Sequence, residues 1–194
     1  MTIFETFFQL GFEHIIDIAA IDHILFLLVI CAVYRLPDWK RLLILITAFT
    51  LGHTITLILA TFNLLIIASS LIEFLIPVTI FITAIANLIQ IRTKSDKSMH
   101  KIRYFSSLVF GMIHGLAFSN ELRALLFNSS ELWKPLLGFN IGVESGQLVF
   151  VSCYLLLSYF LESLLNVKQN AINLVLSGTG LIVSFVLIIE RYPF

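Results

Sequence analysis

His14, His23, His53 and His114, four of the five histidines of this chain, sit inside apolar runs long enough to cross a membrane. Asp17, Asp22, Glu73 and Glu144 share those runs. An ionisable group in hydrocarbon is costly unless it faces the protein interior and finds a partner. Groups of this kind are expected to bind something together. Imidazole with carboxylate is the ligand set of a first-row transition metal, and also of a proton relay.

The spacing groups them into five clusters. The first holds Gly11, His14, Asp17, Asp22 and His23. Residues eight apart on a helix differ by about 80° in direction, so His14 and Asp22 project to the same broad side. His23 points about 100° away from Asp22. One histidine is then free to bind metal while Asp22 orients another imidazole. In the second cluster, Gly52 stands beside His53 with Thr50, Thr54 and Thr56 nearby. The third is Glu73, with Ser69 and Ser70 one turn before it and Pro77 one turn after. In the fourth, Gly111 and Gly115 flank His114 in a G-x-x-x-G pair, a helix-packing motif of low specificity by itself. The fifth places Asn140, Glu144 and Gln147 at i, i+4 and i+7 on one face, with Gly142 and Gly146 on another. The candidate metal ligands are His14, Asp22, His23, His53, His114 and Glu144. Asp17, Glu73, Asn140 and Gln147 are candidates for orienting the ligands or carrying protons. No catalytic residue is assigned. Cys31 and Cys153 form no pair motif and read as core or lipid-facing thiols.

The elements that must position these residues are membrane helices. The 194-residue chain is 59% hydrophobic and 12% charged, about half the charged fraction of soluble domains. Its mean hydropathy of +1.00 points the same way. The sequence predicts an all-α, polytopic helix bundle in one transmembrane domain over 1–194. About six spans are expected, at roughly 13–34, 41–61, 64–91, 102–118, 135–165 and 171–189. The apolar stretch before Glu13 is expected to lie in the interface or fold back onto the bundle. The last span shows little beyond Ser177, Thr179, Ser184 and glycines and is expected only to pack. His100 is expected in a solvated basic loop.

Charge sets the orientation. Arg35, Lys40 and Arg41 fall in the first loop, and Arg92, Lys94, Lys97, Lys101 and Arg103 in the third. Loop four is mixed, with Arg123 and Lys134 against Glu121 and Glu131. By the positive-inside rule the odd loops face the cytoplasm and both termini face outward. Only Arg191, beside Glu190, argues the other way. This orientation brings all the candidate ligands to one layer between the midplane and the outer surface. The net charge is zero and no basic stripe carries aromatics, so no nucleic-acid partner is expected. Neither a Walker loop nor an H-E-x-x-H motif occurs.

Through His14…Asp22-His23, Gly52-His53-Thr-Ile-Thr-Leu, Phe110-Gly-Met-Ile-His114-Gly and Gly142-Val-Glu144, the chain resembles the HupE/UreJ family of bacterial membrane proteins. The resemblance is to a divergent branch. It implies His14, Asp22, His23, His114 and Glu144 as the working residues. It also implies a place in the bacterial cytoplasmic membrane and a role as a nickel or cobalt permease. The residues alone leave the metal open among Ni, Co and Zn. They equally admit an intramembrane metal-dependent hydrolase, or a structural or assembly factor whose polar layer only orders helices.

Overall fold

The computed structural model describes residues 2–17, 21–92, 97–126 and 132–193. Lys94 and Glu131, used above for loop charge, lie outside the described residues, as do the side chains of Arg92, Lys97, Glu121 and Arg123. Among the described residues there are seven α-helices and no strand. They are α1 (Ile3–Ile16), α2 (Ile21–Cys31), α3 (Trp39–Thr61), α4 (Ser69–Arg92), α5 (Lys97–Leu126), α6 (Trp133–Leu164) and α7 (Gln169–Glu190), with a single 3-10 turn at Leu36–Asp38. Helices α3, α4, α6 and α7 are each long and apolar enough to cross a membrane. The protein is a helical membrane bundle.

One expected element is different. The first span, read as a single helix over 13–34, is broken: α1 and α2 meet at 67°. Aspartate competes for its own backbone and favours helix ends over helix interiors. Asp17 closes α1, its backbone N–H donating to the Glu13 carbonyl, and Asp22 stands in the first turn of α2. The stretch before Glu13 belongs to α1, whose start is closed by a reciprocal cap between Thr2 and Glu5.

Glycines set two close helix pairs. A Cβ at Gly142 would strike the Phe8 carbonyl, and one at Gly11 the Phe139 carbonyl, so α1 folds back onto α6. In the same way Gly52 abuts the Leu108 backbone and Gly111 the Phe49 backbone, joining α3 to α5. Small residues let backbones approach where lipid supplies no hydrophobic drive between helices. Phe4 and Phe8 face Gly138 and Gly142 in order, so α1 runs parallel to α6; Phe49 and His53 face Gly111 and Gly115, so α3 runs parallel to α5. Helix α7 lies against α4 in the opposite sense, pairing Phe74 with Tyr192 and Phe81 with Phe185.

Helix α2 is the centre of the bundle. Leu25, Phe26, Leu27, Val29, Ile30 and Cys31 are all buried. Its 11 residues reach only about half of a 30 Å hydrocarbon core. A helix that ends inside the bundle leaves carbonyls to satisfy. Asn87 Nδ2 donates to the Val29 carbonyl at 2.7 Å, and Gln169 Nε2 to those of Ala32 (2.9 Å) and Tyr34 (3.2 Å). Arg103 Nη1 in turn donates to the Asn87 side-chain oxygen Oδ1 at 2.9 Å, and Arg103 also bonds Gln90. Helix α7 therefore does more than pack: Gln169, Asn173 and Ser177 are buried members of this polar layer. His100 is half-buried against Tyr34 rather than fully solvated. Cys31 is buried and Cys153 exposed, both as free thiols.

Candidate metal site

The break between α1 and α2 is where the chemistry collects. His14 comes from the last turn of α1, and Asp22 and His23 from the first turn of α2. His114 comes from α5, Glu73 from α4, and Arg191 from the residue after α7. All six line one open cavity of about 310 Å³, together with Ile76, Ala117 and Phe118. Pro77 has no N–H to return to the carbonyl of Glu73 four residues back, so α4 loses a bond beside the cavity. Glu73 itself is exposed at the rim.

The imidazoles form a chain. The His14 and His23 rings lie 4.4 Å apart centre to centre, and His23 and His114 lie 5.5 Å apart. Aromatic rings hold them in place. His14 packs on Phe118 and Phe139, which stack on one another at 4.3 Å, and His114 packs on Phe26 and Phe49. A repeated local arrangement aims two of the histidines. Gly11 sits on the backbone of Phe139, and His14, one turn later, packs on the Phe139 ring. Gly111 sits on the backbone of Phe49, and His114, one turn later, packs on the Phe49 ring. The G-x-x-H spacing common to both could have been read from sequence.

Hydrogen bonding fixes which nitrogen is free. His114 Nδ1 lies 2.9 Å from the Phe110 carbonyl, an acceptor only, so Nδ1 carries the proton. That leaves His114 Nε2 a lone pair, with no partner among the described residues. His14 Nε2, His23 Nδ1 and Asp22 Oδ1 are likewise buried without partners. The other Asp22 oxygen, Oδ2, accepts from Arg191 Nη1 at 2.8 Å. Buried polar atoms are nearly always satisfied. Four such atoms gather around one cavity; His53 Nε2, outside it, is also buried without a partner among the described residues.

The remaining candidates lie elsewhere. His53 is stacked between Phe49 and Phe139 and does not line the cavity; its Nδ1 is 3.4 Å from Asn140 Oδ1. Glu144, Asn140 and Gln147 do face one way, toward the threonines of α3. Thr47 donates to Glu144 at 3.0 Å, Thr50 to Gln147 at 2.8 Å and Thr54 to Asn140 at 2.7 Å. This ladder joins α3 to α6 beside the cavity. Asp17 ends α1. Arg191 lines the cavity but was read from sequence only as a weak topological signal. Its conflict with the positive-inside pattern was the available clue.

The donor set suits a transition metal. Two imidazoles sharing one ion have ring centres about 5 Å apart, from metal–nitrogen bonds of about 2.1 Å. The observed 4.4 and 5.5 Å bracket that value. As the side chains stand, no three His, Cys, Asp or Glu among the described residues are converged on a common metal position. Ligation needs the rings to turn toward one point.

A family model described as HupE / UreJ protein matches residues 1–191 of the chain. The chain belongs to this family, which is associated with nickel or cobalt uptake and with urease and hydrogenase maturation. No curated protein and no solved structure matches it.

Proposed function

We propose that this HupE/UreJ protein is a permease for a divalent transition metal of the nickel and cobalt type, acting in the bacterial cytoplasmic membrane. The cargo ion is captured by His14, His23 and His114, with Asp22 and Glu73 offsetting its charge. The observation that carries this reading is the set of unpartnered nitrogens, from three separate helices, lining a single cavity. The break between α1 and α2 supports passage over mere ordering. Transporters place ion sites where membrane helices are interrupted, because free backbone groups and helix ends gather there. The negative end of the α1 dipole also favours a cation next to His14.

The hydrolase reading shares the ligands and differs in what happens to the ion. A resident catalytic metal keeps three converged protein ligands and an open position. Among the described residues the donors do not converge on one position, so either reading needs the rings to turn. One experiment separates the readings. Purified protein in detergent is titrated with Ni²⁺ and Co²⁺ by calorimetry, and uptake is followed in cells. Reversible binding and uptake are expected, both lost in His23→Ala. Zinc that survives chelator dialysis, with no uptake of any metal, would favour the hydrolase. Unchanged binding in His23→Ala would remove the site altogether.

A further inference from the structure

A cation-binding cavity that already contains a cationic side chain needs an explanation. Arg191 Nη1 lies 2.8 Å from Asp22 Oδ2, with the two side chains 29% and 18% exposed. Both residues line the cavity with the three histidines. The pair is the link from the residue after α7 to the first turn of α2, 169 positions apart. It uses one carboxylate oxygen and leaves Oδ1 buried with no partner among the described residues. A guanidinium offers a planar fork that can engage both oxygens of a carboxylate. Here it takes one, so the carboxylate is held but not fully satisfied.

We propose that Arg191 is a tethered competitor for the cargo ion: it neutralises Asp22 while the cavity is empty, and metal binding displaces it. This rests on the metal reading above. Asp22 adjoins His23 in the chain, so a carboxylate drawn toward Arg191 is withdrawn from the ion. The same guanidinium also repels an incoming dication at short range. Displacing it would free the end of α7, coupling occupancy of the cavity to the contact between α7 and α2. Competition of this kind lowers the apparent affinity by the fraction of molecules whose carboxylate is free. It thereby favours release of an ion that must not be held too tightly to pass.

The test is Ni²⁺ titration of the full-length protein by calorimetry. Arg191→Gln is expected to bind about five- to tenfold more tightly than the natural chain. Arg191→Lys keeps the charge but loses the fork, and is expected to fall between the two. In an Asp22→Asn background, Arg191→Gln should tighten binding much less, because the carboxylate under competition is gone. A purely structural role for Arg191 predicts the opposite sign, weaker binding in the Gln variant. If the natural chain binds Ni²⁺ and Arg191→Gln binds no more tightly, the competitor role is wrong and the metal site stands. If neither protein binds any of Ni²⁺, Co²⁺ or Zn²⁺, both readings fall together. Should Arg191→Gln not fold, the Lys variant decides: a dissociation constant equal to that of the natural chain overturns the proposal.

Discussion

At the scale of single residues, the four membrane-embedded histidines are not equivalent. On the proposed metal reading, His114 is the best-prepared ligand. Its Nδ1 proton is tied to the Phe110 carbonyl, so the lone pair on Nε2 is aimed before any ion arrives. Pre-orientation of an imidazole through its other nitrogen is how proteins raise ligand strength. His53 is held in an aromatic stack outside the cavity. We expect His114→Leu to weaken Ni²⁺ binding by about a hundredfold or more. We expect His53→Leu to change it by less than about threefold, since no cavity-lining atom is altered. Calorimetry on the two variants checks both values. Equal losses would mean that the site extends past Phe139 to His53. Type and spacing alone could not rank these histidines, because each lies in an apolar run beside a glycine or an acid. What separates them is which rings stand between them.

At the scale of elements, glycine-to-backbone contacts carry the precision. Gly111 sets the distance of α5 from α3, and His114 rides on the same helix one turn later. A side chain at position 111 meets the Phe49 carbonyl, which belongs to a helix and has no rotamer to escape into. We expect Gly111→Val to destabilise the protein by about 3 kcal/mol or more. It should also displace His114 and abolish metal binding. Gly178 is the control. It lies within α7, and a Cβ there meets nothing within 4 Å. Gly178→Ala should be neutral or stabilising by up to about 1 kcal/mol, because alanine is the better helix former. Thermal unfolding of the two variants in detergent, followed by circular dichroism, checks the contrast. The sequence marks Gly111 by its place beside His114 and gives the last span's glycines no role of their own. Only the neighbours show what a side chain at each would meet.

At the scale of the whole molecule, the helix directions agree with one topology. Counting α1 and α2 together as one broken span gives up to five candidate spans among the described residues, α5 not being one of them; α1 runs parallel to α6 and α3 parallel to α5, the directions that six alternating crossings would require. By the positive-inside rule Arg35, Lys40, Arg41 and Lys101 are expected to face the cytoplasm, which would put both termini outside and turn the cavity outward. In a Cys153→Ser background, Thr2→Cys and Pro193→Cys should react with a membrane-impermeant maleimide on intact cells. Lys101→Cys should react only after the membrane is opened. Labelling of Lys101→Cys from outside would invert the orientation and with it the direction of capture. The sequence by itself determined the helical class, the membrane setting and the family to which the chain belongs. The first two follow from local hydropathy and from the cost of burying charge. Tertiary structure alone decided that the first span breaks at Asp17, that Glu144 serves a threonine ladder and not the cavity, and that Arg191 returns from the far end of the chain to hold Asp22. Each of these depends on which surfaces of distant helices meet, and a pattern of residues along one chain does not encode the packing that chooses among them.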